Sequence, residues 1–182
     1  MKREIELVSC FKGKFKVADY HLLSRSELFR DLLDSGDYND SESTTTIETT
    51  ESNKQLSDYI HLLETTNLPD NLLLLTDLLV LTDKYKDVTS TKLIENYLLI
   101  NCDKFDKLEL YSLSCRFQLD SLRSHQLNII DKDDLAELST HTATFLGSAD
   151  LYHLIKHSHK DRKFEDSQET IQQNFDNYRS MY

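Results

Sequence analysis

The stretch Phe15 to Leu33, FKVADYHLLSRSELFRDLL, changes its hydrophobic period partway along, and this constrains the chain more than any other feature. Phe15 and Val17 alternate with Lys14 and Lys16, the period-two pattern of a strand with one buried face. Leu22, Ser26, Phe29, Leu32 and Leu33 then fall at helical spacing and share a face, with Arg25, Glu27, Arg30 and Asp31 on the other side. A strand feeding directly into a short helix requires mixed α and β structure. Asp19 or Ser24 is placed to cap one helix running through Asp31.

Upstream, Ile5 and Leu7 alternate with Glu4 and Glu6, and Val8 to Gly13 supplies a turn. Together with Lys14 to Val17 this predicts a β-hairpin, with Gly13 taking the unusual backbone angles of the turn. Downstream, Asp34 to Asp40 is turn-rich, and Thr44 to Thr50, TTTIETT, fits a short edge strand with Ile47 facing in. Disorder is the competing reading for Asp37 to Asn53.

The rest is helical in pattern. Leu56, Tyr59, Ile60 and Leu63 share a face within Lys54 to Glu64. Pro69 interrupts, and Asp70 or Asn71 can cap a helix over Leu72 to Lys84 that is apolar nearly all round, as a central buried helix would be. Thr89 or Ser90 starts another, with Leu93, Ile94, Tyr97 and Leu98 inward. Helical spacing resumes from Phe105 and runs through Leu113 and Leu122 to Ile130. With 3 glycines and 1 proline in 182 residues, few turns of positive φ are available, which disfavours an all-β architecture.

These residues carry a resemblance. Phe15-x-Val17, Leu22, Ser26, Phe29, Leu32 and Leu33 stand at the offsets of the BTB/POZ pattern F-x-V-x(4)-L-x(3)-S-x-x-F-x-x-[ML]-[FL]. Leu78-Leu79-x-x-Thr82-Asp83-Lys84-Tyr85 resembles the family's L-L-x-x-A-D-x-Y, and Tyr97-Leu98 its closing Y-L. Asp87 and Ser90 stand where the family usually has apolar residues, and Ile94 where a cysteine is common. After it, Asp134-Leu135-Ala136-Glu137-Leu138-Ser139 and Phe145-Leu146-Gly147-Ser148-Ala149-Asp150-Leu151 are similar to the BACK extension of kelch-type adaptors. The implied organisation is α+β: a BTB/POZ-like domain over 1–101, a small sheet capped by helical hairpins; a partial, all-α BACK-like region over 102–157; and a charged tail over 158–182. In that tail Ile171, Phe175 and Tyr178 could form a short amphipathic helix. No kelch repeats follow.

The formal charge of −11 disfavours nucleic acid and anionic membranes as partners. The longest apolar run, Leu72 to Leu81, is too short to span a bilayer, and MKREIELVSC has no apolar signal core. Three scattered cysteines, Cys10, Cys102 and Cys115, predict a reducing compartment, cytoplasmic or nuclear. No P-loop, G-x-S-x-G, G-x-G-x-x-G or H-E-x-x-H motif is present, so neither a cofactor nor a catalytic set is expected. His153 and His157, four residues apart, and His159 are the best metal candidates, without a further ligand in a known spacing. Asp133 and Asp134 read as helix caps, and Ser26 as a buried hydroxyl bonded to backbone.

The resemblance implies a protein-interaction adaptor that links substrates to a cullin-3 type RING ubiquitin ligase. The partner surface implied is Leu28, Leu32, Tyr38, Leu62, Leu63, Phe105 and Tyr111. The φ-x-E motif of such adaptors is replaced by Asp37, Tyr38 and Asn39, with Tyr38 as an aromatic anchor. The alternatives are a BTB oligomerisation scaffold without cullin binding, in which the chain forms a homodimer, and a small helical metalloprotein or enzyme. The helix that many dimeric relatives swap has no counterpart ahead of Glu4.

Overall fold

The structure, a computed structural model, describes residues 4–35, 44–136, 138 and 146–158. They form an α+β protein with a three-stranded mixed sheet and nine α-helices among the described residues. The chain divides into two compact units, Met1–Tyr97 and Leu98–Tyr182, a division a little ahead of the 101 expected from the pattern.

In the first unit, β1 (Glu4–Val8) and β2 (Lys14–Ala18) form the predicted hairpin, and β3 (Thr44–Glu48) lies parallel to β1 on its other side, giving the order β2-β1-β3. Register follows hydrophobicity. Ile5 faces Val17 and Thr45 across the two ladders, and Leu7 faces Phe15 and Ile47. Ile5, Leu7, Val17 and Ile47 are buried, so a one-residue slip would expose the whole apolar set. On the opposite face Lys14 pairs with Glu6 at 2.9 Å and Lys16 with Glu4 at 3.2 Å. Pairs at the surface such as Lys16–Glu4 add little stability.

The hairpin turn departs from expectation. Lys12, not Gly13, takes the left-handed conformation, with φ 62°. Gly13 is required for space: a Cβ there would run into the Asn53 carboxamide. Ser9 holds the turn, its Oγ accepting from the Gly13 N–H at 2.9 Å and donating to Asn53 Oδ1.

The expected single helix after β2 is two. α1 (Asp19–Arg25) and α2 (Glu27–Asp34) are separated by Ser26 in extended conformation, φ −101° and ψ 119°. Neither Asp19 nor Ser24 caps; Ala18 precedes α1 without a side-chain bond, and Ser26 caps α2 by accepting from the Phe29 N–H at 3.2 Å. Its hydroxyl donates to the Tyr85 carbonyl at 2.6 Å, and its backbone bridges to Asp87. A bond to a residue this distant in sequence is invisible to local periodicity, and it overrides helix continuation. Leu22 and Phe29 are buried as expected, while Leu32 and Leu33 are only half-buried.

α3 (Asn53–Thr65) starts at a capping box formed by Ser52 and Gln55, and Thr66 ends it in the left-handed conformation, φ 58°. α4 (Leu72–Lys84) is capped by Asn71, whose Oδ1 accepts from the Leu74 N–H at 3.1 Å. It is not buried all round, because Leu73 is 70% exposed. α5 (Val88–Ile100) starts one residue ahead of the expected cap, because Asp87 Oδ1 accepts from the Ser90 N–H at 2.9 Å.

In the second unit a 3₁₀ turn, Cys102–Lys104, leads to α6 (Lys107–Arg116) and α7 (Asp120–Ile129), followed by α8 (Lys132–Ala136) and α9 (Ser148–Ser158). Leu108, Tyr111, Ile130, Leu135, Leu138, Leu146 and Leu154 form its core. Asp131 caps α8, its Oδ1 accepting from the N–H groups of Asp133 and Asp134 at 2.8 and 3.0 Å, where the sequence suggested those two as caps. Asp134 completes the cap as expected, its Oδ2 accepting from the Asp131 N–H at 2.9 Å, and it also pairs with Lys107 at 2.9 Å. No helix among the described residues is long and apolar enough to cross a membrane.

Candidate partner-binding surface

The first unit places a polar cluster under its sheet and helices. Asp87 is fully enclosed and receives the Tyr59 hydroxyl at 3.1 Å on Oδ2, with the Ser90 N–H on its other oxygen. Its own N–H donates to the Thr82 carbonyl at 2.7 Å, and Arg25 donates to Ser90 Oγ at 3.3 Å. Beside it the Tyr85 ring lies 4.9 Å from Phe29 and 5.1 Å from Tyr59, and its hydroxyl donates to Glu51 at 2.7 Å. Lys84 closes the group on Glu51.

The electrostatics follow from this packing. Burial pushes the Tyr59 hydroxyl well up, and the Asp87 carboxylate adds to it. Burial also raises Tyr85, reinforced by its bond to Glu51. Burial would raise Glu51 as well, but the bonds from Lys84 and Tyr85 outweigh it and hold the carboxyl below its ordinary value. Both Asp87 oxygens are engaged inside the fold, so the cluster fastens the Tyr85–Asp87 turn to α1, α2 and α3 rather than meeting a substrate. The buried Asp87 carboxylate is tolerated because donors surround it.

An open cavity of about 210 Å³ lies between α3 and α4. Asp58 and His61 come from α3, Asn67, Leu68 and Pro69 from the connecting loop, and Leu74 and Leu78 from α4. Leu78 forms part of a buried floor, while Asp58, His61 and Asn67 supply a polar rim. Asp58 pairs with Lys54 at 2.6 Å, and His61 Nε2 lies 3.4 Å from Thr65 Oγ1. An apolar floor with a polar rim suits an apolar side chain presented by another protein.

The residues expected to meet partners are distributed differently. Leu28 and Leu32 on α2, and Phe105 after the 3₁₀ turn, are half-buried and retain surface. Leu62, Leu63 and Tyr111 are each 0% exposed, so these three are core side chains with no surface to offer. α3 is covered on more than one side, which places Leu62 inward together with the Leu56–Tyr59–Leu63 face. The Tyr111 hydroxyl donates to the Asp150 carbonyl at 3.0 Å, tying α6 to α9. Tyr38, with Asp37 and Asn39, lies outside the described residues, as do Ser139, Phe145, His159 and the tail residues Ile171, Phe175 and Tyr178.

Sequence reasoning missed the cavity residues. The signal present was Pro69, the sole proline, in the loop between α3 and α4. His153 is exposed and His157 half-buried, and no group of three His, Cys, Asp or Glu side chains among the described residues could hold a metal ion. No protein-family model matches the chain, and no curated protein matches it.

Proposed function

We propose that the chain is a protein-interaction adaptor with a BTB/POZ-like first unit and a BACK-like second unit, and that it joins other proteins to a cullin-type ubiquitin ligase scaffold. The observation that carries this reading is the cavity between α3 and α4, because α3 is an element on which the adaptor reading places partner contacts. The sheet order β2-β1-β3, with α1 and α2 between β2 and β3, agrees with a small sheet capped by helical hairpins. The Ser26 joint agrees with a serine fixed within an apolar pattern.

Binding, with no bond chemistry of its own, is the mechanism. An apolar anchor of the scaffold enters over Leu74 and Leu78, and the polar rim of Asp58, His61 and Asn67 fixes its register. The oligomerisation-scaffold reading draws on the outer edges of β2 and β3, which end the sheet among the described residues.

Sizing chromatography of the chain mixed with a cullin-3 N-terminal domain tests the proposal. Co-elution at concentrations on the order of tens of micromolar is expected. Leu68→Glu, a loop substitution at the cavity lining, should abolish it while leaving the circular dichroism unchanged. A stable dimer by light scattering with no co-elution would favour the scaffold.

A further inference from the structure

In the second unit the Cys102 sulfur lies 3.6 Å from His125 Nε2. The two residues come from different elements, Cys102 from the 3₁₀ turn and His125 from α7, so the fold and not local sequence brings them together. Both are half-buried, within reach of a small reagent. Asp103 Oδ1 lies 3.8 Å from the same sulfur.

The other cysteines are built differently. Cys115 is half-buried against the core of the second unit, where burial, with the Asp150 carboxylate alongside, pushes its thiol up to about 11. It keeps its proton and is a poor nucleophile. Cys10 lies exposed in the hairpin turn, where access governs its rate.

We propose that Cys102 is a thiol-modification site that exchanges with low-molecular-weight disulfides, with His125 as its proton acceptor. The Sγ–H proton passes to Nε2 as the sulfur attacks one sulfur of glutathione disulfide. The glutathione S–S bond breaks, a Cys102–glutathione disulfide forms, and the departing glutathione thiolate takes up a proton from the imidazolium or water. Cys102 is oxidised and the departing half is reduced. Proton transfer to His125 accompanies the attack, so loss of the imidazole slows the exchange.

The test treats the full native chain with glutathione disulfide and follows each cysteine by peptide mass spectrometry. Cys102 should be modified ahead of Cys10, and Cys115 should stay unmodified. His125→Gln should lower the Cys102 rate, measured against Cys10 in the same tube, by about tenfold or more. Continued protection of Cys115 reports that a variant is folded, and His125→Asn serves where His125→Gln is not. Modification of Cys102 no faster than Cys10 in the unsubstituted chain overturns the proposal without any variant. So does an unchanged Cys102-to-Cys10 ratio in a folded His125 variant.

Discussion

Gln126 on α7 is fully buried, and neither its Nε2 nor its Oε1 has a hydrogen-bond partner among the described residues. An amide enclosed without partners loses its water bonds and gains nothing in return, a penalty of about 1–3 kcal/mol. Methionine fills almost the same volume without carrying the unsatisfied groups. Gln126→Met should therefore stabilise the chain by about 1–2 kcal/mol, read as a higher urea midpoint with an unchanged slope. A lower midpoint would mean that the amide holds a bound water or a partner. Contrast Asp87, equally enclosed but with both oxygens filled, where a similar replacement would strand the Tyr59 hydroxyl. Two buried polar side chains in one chain thus have opposite expected signs, and only their partners distinguish them.

The turn from Tyr85 to Asp87 joins α4 to α5 and receives Ser26 from the start of α2. Glu51 ties the chain after β3 to the same turn through Tyr85 and Lys84. Its carboxyl is held below the ordinary value in the folded state, so the folded state binds its proton later than the unfolded chain as pH falls. The contribution is fully present above the unfolded glutamate value of about 4.3 and is lost as pH drops below it through the lowered folded value. Glu51→Gln should lower the melting temperature at pH 7, and the gap from the unsubstituted chain should narrow as the pH is taken from 6 to 3. A gap constant over that range would show that Glu51 acts through packing alone.

These elements also show what could be read without coordinates. The alternation of Ile5 and Leu7, the inward Ile47, the Leu56–Tyr59–Ile60–Leu63 face and the Asn71 cap are all local patterns, and the structure carries them as read. The Ser26 break was not legible, because its cause is a carbonyl contributed by Tyr85. Nor was the fate of the leucines. Helical spacing puts Leu63 on the packed face with Leu56, Tyr59 and Ile60, and leaves Leu62 off it, but does not show what covers either leucine; here both are buried within the chain itself. The cavity was hidden for a related reason, since its lining converges from two helices and a loop and shares no period.

On the scale of the whole molecule, charge is the property that no single residue carries. The chain has 21 basic and 32 acidic side chains, and the lysines of β2 and of the hairpin turn are already paired: Lys14 with Glu6, Lys16 with Glu4 and Lys12 with Glu48. Binding to a duplex draws most of its free energy from releasing counterions that basic side chains displace from phosphates. A surface of net charge −11 displaces few and repels the rest at long range. Low ionic strength is the most permissive condition for such binding, because the Debye length grows to about 30 Å at 0.01 M. The chain should therefore fail to shift a 20-base-pair duplex in a gel even at this salt. A protein partner that enters the cavity between α3 and α4, as proposed above, would meet an apolar floor and a polar rim instead, and that complex should survive where DNA binding fails. Retardation of the duplex at low salt would show a basic face that outweighs the net charge, and with it a function other than protein adaptation.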